Sequence, residues 1–369
     1  MNDLPDLSNL DQNQLLRLLL ERLPAAPAET TPKIAAPTFD EYLDKVAGAV
    51  GAGTRRANEP YWNRIKAVWG NRRIDEPTPL EIADLAAQAQ QNAIVRSNSK
   101  GGRSAAEHVI SALRCMYHYA VADRIISEAD NPALRVSKPR RLISNRRALD
   151  SASLTEIIEI TGSTGNDPDL DLLLIRFHLE TAARRGGALA VRPRDLDPEQ
   201  SLVQLREKGG TTRWQPVSPS LMASLQAHGQ QRFADDPDDQ LLRYRNGNPI
   251  THRRYDNLWV RLGKHLPWIA KQNVSTHWLR YTTLTWVERN FGQAIARGYA
   301  GHSDGGPQGV TAIYVRPTLY EIATALSSLT GEHHPLAPTE TGSTQTQSPA
   351  RVPLPKIYQQ IYDDAEHPS

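Results

Sequence analysis

Leu172-Leu173-Leu174-Ile175-Arg176-Phe177-His178-Leu179-Glu180-Thr181-Ala182-Ala183-Arg184-Arg185-Gly186-Gly187-Ala188-Leu189 is an apolar run of helical length that closes on two arginines and two glycines. Leu172, Leu173, Leu174, Ile175 and Phe177 cover the whole circumference of a helix, so the run reads as a buried one. Downstream, Leu202–Leu205 and Thr211–Val217 flank Gly209-Gly210 as a short β-hairpin. Helical periodicity returns near 219–233, 251–264, 276–290 and 293–300, and upstream Ser153 with Glu156 has capping-box spacing before Ile157, Ile158 and Ile160. Residues 149–332 therefore read as a mainly α domain with a small β-hairpin or sheet, an α+β arrangement.

A separate all-α domain is expected over 38–136. Thr38 is a candidate N-cap with Glu41 three residues on, ahead of Tyr42, Leu43 and Val46. Further helices are expected near 58–69, 78–95 and 104–123. The last of these carries Val109, Ile110, Leu113, Tyr117 and Ala120 at helical spacing, and Asn131-Pro132 closes the region. Residues 1–37 hold a leucine-rich helix at 11–23 and a Pro/Ala/Thr linker, and 137–148 form an interdomain linker. Residues 333–369 turn to Pro, Thr, Ser and Gln and read as a mostly disordered tail. Within the linker, Lys138, Arg140, Arg141, Arg146 and Arg147 make five basic residues with no acid from 138 to 147.

The chain has 369 residues and a net charge of +2, so bulk charge alone announces no polyanion partner. One cysteine, Cys115, excludes an internal disulfide and suits a reducing cytoplasm. No stretch has the apolar length of a membrane span, and no basic n-region follows Met1. The eleven histidines are scattered, without paired metal-ligand spacing beyond His333-His334, so neither a metal nor another cofactor is expected.

Six residues stand out by order and context: Arg184; Lys208 in Arg206-Glu207-Lys208-Gly209-Gly210; His277 and Arg280 in Thr276-His277-Trp278-Leu279-Arg280-Tyr281; His302 in Ala300-Gly301-His302; and Tyr314 in Ile313-Tyr314-Val315-Arg316. Taken singly, each has an ordinary reading as a helix cap, a solvated turn, an exposed pair or a core aromatic. Together they resemble the tyrosine recombinase (phage integrase) family, over about 38–332. The resemblance implies a helical core-type DNA-binding domain at 38–136 and a catalytic domain at 149–332, closing as a clamp on duplex recombination sites. It also implies dimers to tetramers on DNA, exchange of strands through a Holliday junction, and a cytoplasmic, nucleoid-associated setting. Accessory DNA-bending or directionality proteins are compatible partners. In that scheme Arg184 and Arg280 clamp the phosphate, because a planar fork grips two oxygens and keeps its charge. Lys208 is the general acid, His277 and His302 assist, and Tyr314 is the nucleophile that forms a 3′-phosphotyrosine. The resemblance further suggests that residues 319–329 pack into a neighbouring subunit.

Two departures from the family pattern are visible. Gly187 stands where many relatives carry an acid supporting the first arginine, which leaves Asp195 or Asp197 as candidates. The stretch from His302 to Tyr314 is long, and Tyr320 is the alternative nucleophile. Residues 1–37 are too short for a distal arm-binding domain, which favours action at simple core sites. The linker basics are expected to contact phosphate, and Lys100 and Arg103, ahead of the 104–123 helix, to read bases. The competing readings are a type IB topoisomerase, a non-catalytic DNA-binding relative and a metal-dependent nuclease.

Overall fold

The computed structural model describes residues 35–94, 100–140, 146–206, 210, 212–301 and 317–338. The chain divides into two compact units, Met1–Leu142 and Ile143–Ser369.

The first unit is all helical: α1 Phe39–Ala49, α2 Ala52–Trp69, α3 Pro79–Gln91 and α4 Arg103–Ala122. Thr38 starts α1 with a complete capping box, accepting from the Glu41 amide at 3.3 Å while the Glu41 carboxylate accepts from the Thr38 amide at 3.0 Å. Val109, Ile110, Leu113, Met116, Tyr117 and Ala120 of α4 are all buried. At roughly 1.5–3 kcal/mol for each large apolar side chain, that face is the main stabiliser of the unit. The polar ends of its aromatics are satisfied: Trp62 Nε1 donates to Ala112 O at 3.1 Å and Tyr117 OH to Ile74 O at 2.8 Å. Gly102 precedes α4 at φ +73°, and a Cβ there would lie 2.2 Å from Gln90 O, so the turn between α3 and α4 requires glycine.

The second unit is built around one helix. Its elements are α5 Ser151–Ser163, α6 Pro168–Thr181, α7 Arg185–Leu189, β1 Leu196–Asp197, β2 Leu202–Arg206, β3 Thr212–Pro216, α8 Pro219–Gln231, α9 His252–His265, α10 Pro267–Gln272, α11 Thr276–Tyr299 and α12 Leu319–Thr330. Helix α6 supplies Leu170, Leu173, Leu174 and Phe177 to one apolar cluster and Ile175 and Leu179 to a second, while Ala182 just beyond it joins a third. Asp171, Arg176 and Glu180 on it are buried and paired. Arg254 and Arg261 each reach Asp171 at 2.7 Å, and Glu180 binds Arg176 at 2.8 Å and the Ser218 amide at 2.9 Å. The expected hairpin is present, antiparallel with Leu205 opposite Arg213 and Arg206 opposite Thr212, and β1 adds a short third strand on β2. In α11, Gly292 (φ 84°, ψ 168°) breaks the helix in two, close to the expected break between 290 and 293.

Two expectations need correction. Ser153 does not cap α5. Asp150, three residues earlier, takes the Ser153 amide at 2.8 Å, because a carboxylate is the stronger acceptor; Glu156 instead accepts from Trp268 Nε1 at 2.8 Å. The boundary at 332 falls inside a docked segment. Glu332 accepts from the Ser220 amide at 2.8 Å, and His334 is buried with Nε2 donating to Ser201 O at 3.1 Å, which leaves Nδ1 to accept from the Leu336 amide at 3.1 Å. Helix α12 packs on its own unit, burying Ile322, Ala325, Leu326 and Leu329 in the third cluster. The leucine-rich run at 11–23 and most of the tail lie outside the described residues.

Arg254 binds Asp171, Asn166 Oδ1 at 2.8 Å and Asp167 O at 3.0 Å while almost wholly buried. Arg254→Ala leaves Asp171 under-paired and should destabilise the second unit by about 3–5 kcal/mol, read as a lower midpoint in urea unfolding. An unchanged midpoint would show that α6 does not depend on this pairing.

Candidate active site

The turn after α6 is where the first candidate arginine is placed. Ala182 takes a left-handed conformation (φ 49°, ψ 24°) that turns the chain out of the helix, at a cost of about 1 kcal/mol for a residue with a Cβ. Surrounding groups hold it there. Thr181 Oγ1 accepts from the Ala183 amide at 3.1 Å, Arg213 on β3 donates to Thr181 O at 3.3 Å, Arg280 on α11 donates to Ala182 O, and His178 Nδ1 meets Ala183 O at 3.0 Å. Arg184 then leaves the turn extended (φ −75°, ψ 152°) at the N-cap of α7, half-buried.

His277 and Arg280 lie on the first turns of α11, His277 exposed and Arg280 buried. Arg280 spans two segments at once: besides Ala182 O it donates to Ala300 O at 2.8 Å. The Arg184 turn and the Ala300-Gly301 turn are thus tied to one guanidinium. Gly301 sits at φ +62° against Arg213, where a Cβ would lie 2.3 Å from Nε. Pro317 packs on Gly298, where a Cβ would lie 2.1 Å from its ring. The described residues on either side of 302–316 therefore both lie against the last turn of α11.

The field here is positive. His277 is held below its ordinary value by partial desolvation and then by the charges of Arg146, Arg280 and Arg184. Three guanidiniums from distant parts of the sequence act on one imidazole, which keeps it neutral near pH 7 and favours a polyanion beside it. Arg185 faces elsewhere, paired to Asp256 on α9 at 2.8 Å.

The structure thus brings Arg184, His277, Arg280 and the linker residue Arg146 into one electrostatic neighbourhood. Lys208, His302 and Tyr314 lie outside the described residues; Tyr320 is exposed on the first turn of α12. Neither suggested support for Arg184 serves it. Asp195 is taken by Arg206 at 2.5 and 2.6 Å and Asp197 by the Gln200 amide at 3.0 Å, because strand β2 carries its own arginine past that loop. Of the candidate DNA contacts, Arg103, Lys138, Arg140, Arg146 and Arg147 are exposed, while Arg141 and the Lys100 side chain lie outside the described residues. Sequence reasoning missed Arg213 and His178. Arg213 lay in a segment read only as a strand, and His178 was one polar residue in an apolar run. Among the described residues no group of three or more His, Cys, Asp or Glu could hold a metal, and no helix is long and apolar enough to cross a membrane.

In a histidine NMR titration His277 should protonate below the ordinary 6.5, and Arg146→Ala or Arg184→Ala should each move its midpoint up. The sign for stability follows: the group is indifferent above about pH 6.5 and destabilises the fold as pH falls below that. A midpoint at or above 6.5, insensitive to both substitutions, would remove the arginine cluster.

Residues 147–318 match the model of the phage integrase family. A XerC tyrosine recombinase of Xanthomonas campestris pv. campestris (strain B100) is 25% identical over 283 residues, covering 74% of this chain and 77% of the relative. A XerC of Chlamydia caviae is 25% identical over 205 residues; that match covers 53% of this chain, which spans 62% of the relative's length. Among solved structures, a lambda integrase dimer bound to a COC′ core site aligns with a TM-score of 0.55 at 14% identity over 74% of this chain and 98% of that one. The Tn1549 transposon integrase in complex with circular intermediate DNA gives 0.56 at 16% identity over 75% and 98%. At such identities these structures establish a common fold. The family match places residues 147–318 in the phage integrase family, and the chain as a whole is similar to XerC tyrosine recombinases.

Proposed function

We propose that this chain is a site-specific DNA recombinase that cuts and rejoins duplex DNA through a covalent 3′-phosphotyrosine. The observation that carries the reading is the convergence of Arg146, Arg184 and Arg280 on His277, with Arg280 tying the Arg184 turn to the turn that leads into 302–316. Attack on a phosphodiester builds negative charge on the non-bridging oxygens, and fixed cations lower that barrier where the charge grows. In this scheme Arg184 and Arg280 clamp the scissile phosphate. Tyr314 Oη attacks phosphorus, the bond to the 5′ oxygen breaks, and Lys208 protonates the departing oxygen. His277, kept neutral, and His302 hydrogen-bond the phosphate or relay protons. The bond energy is stored in the phosphotyrosine, so neither ATP nor a metal is needed.

The partner is double-stranded DNA at recombination sites, bound by dimers to tetramers of the chain in the cytoplasm, with 38–136 as the DNA-binding domain and 149–332 as the catalytic domain. Lambda integrase, which shares the fold, is seen as a dimer on a core site and as a tetramer on a Holliday junction. The linker basics contact phosphate, and Lys100 and Arg103 at the start of α4 read bases.

Three outcomes test this. On a suicide substrate nicked beside the cleavage point, the wild-type chain should become trapped through a 3′ phosphate, also in excess EDTA, and Tyr314→Phe should not. Trapping by the Phe variant would transfer the role to Tyr320, and loss of trapping on chelation would favour a metallonuclease. Arg184→Ala and Arg280→Ala should each slow trapping about a hundredfold or more while binding changes little. Replacing Arg140, Arg141, Arg146 and Arg147 together should weaken specific and random duplexes alike and lower the salt slope of binding by roughly one unit per lost contact. An unaltered slope would leave the linker as a solvated spacer.

A further inference from the structure

We propose that His178 and Tyr255 form a positioning pair that sets the orientation of Arg184. The proposal rests on the recombinase reading only for what Arg184 does, since the geometry of the pair stands by itself.

His178 is fully buried on α6, among side chains that are otherwise mostly leucine, isoleucine and phenylalanine. A leucine would fill such a place, and a buried imidazole is costly unless both ring nitrogens are paired. Both are. Nδ1 lies 3.0 Å from Ala183 O and Nε2 lies 3.0 Å from the Tyr255 hydroxyl. A carbonyl only accepts, so Nδ1 carries the proton; in a neutral ring Nε2 then accepts, and Tyr255 donates. Burial pushes the Tyr255 hydroxyl well above its ordinary value, so it stays protonated as that donation requires. A directed chain results: Tyr255 on α9 fixes the tautomer of His178 on α6, and His178 fixes Ala183 O.

That carbonyl belongs to the peptide joining Ala183 to Arg184. Arg213 and Arg280 hold the two preceding carbonyls, so among these bonds His178 holds the plane from which Arg184 departs. The turn that carries Arg184 is thus steadied from behind, through its backbone. A misplacement of about 1 Å in a group that acts on the transition state costs roughly a hundredfold in rate.

The test uses the full-length protein and two readouts. The first is single-turnover trapping on the suicide substrate at saturating DNA, with DNA affinity measured separately. His178→Phe and Tyr255→Phe should slow trapping by about ten- to a hundredfold with affinity nearly unchanged. His178→Asn, whose amide N–H can replace Nδ1, should recover most of the rate. In an Arg184→Lys background His178→Phe should add little, because both changes act through one group. The second readout needs no cleavage: the Arg184 Nε–H NMR signal, assigned by its loss in Arg184→Lys, should shift or broaden in both Phe variants and return in His178→Asn. Trapping at the wild-type rate by both Phe variants, no rescue by Asn, multiplicative losses with Arg184→Lys, or an unmoved Arg184 signal would each overturn the pair. If the wild type traps no DNA, the recombinase reading fails, and the NMR arm still decides the pair. Should His178→Phe not fold, Tyr255→Phe and His178→Asn decide it.

Discussion

Helix α6 is buried around nearly its whole circumference, and that constraint organises the second unit. Each charged or polar group on its buried faces needs a partner. Asp171 is met from α9, Glu180 from Arg176 and the start of α8, and His178 from Tyr255. The ion pairs offset a desolvation penalty of several kcal/mol that an unpaired ion would carry, and the His178 hydrogen bonds offset the smaller cost of burying a neutral ring. The same pairings set the rotation and height of the helix against its neighbours. Apolar contact with three clusters would hold α6 in place but tolerate some sliding; the directed bonds do not.

The functional consequence appears at the C-terminal end of α6. A helix set so closely ends at a defined point, and four bonds then hold the turn that follows. Arg280 is central to it. A guanidinium offers five N–H donors in a rigid plane, so it can bridge two backbone segments and still present charge to a ligand, which a lysine could not do as well. Arg280 thereby ties together the Arg184 turn and the Ala300-Gly301 turn.

Several of these features were readable beforehand, for local reasons. The hairpin followed from a Gly-Gly turn between apolar stretches, and the α1 start from Thr38 and Glu41, because both signals act within a few residues. The Ser153 cap failed by the same locality: Asp150 competed from three residues away and the pattern alone could not rank them. The arginines and the H-x-x-R element stood out as candidates because phosphate chemistry restricts residue types. Arg213, His178 and Tyr255 were not, since an arginine in a strand or a histidine in an apolar run has many ordinary explanations. The support guessed for Arg184 failed because Asp195 is nearer in space to Arg206, a distance that only strand pairing creates.

The sequence by itself determined the element types, the division into a helical part and a mixed part, and the candidate residues for phosphate chemistry, because periodicity, caps and side-chain chemistry are properties of short stretches. Tertiary structure alone decided which charges meet. Arg146, Arg184 and Arg280 act on His277 although more than 130 residues separate the first from the last. It also decided that Ala183 O is held by an imidazole whose tautomer a tyrosine on another helix fixes. Those outcomes depend on the relative placement of helices packed through a common core, and no local pattern encodes a distance across it.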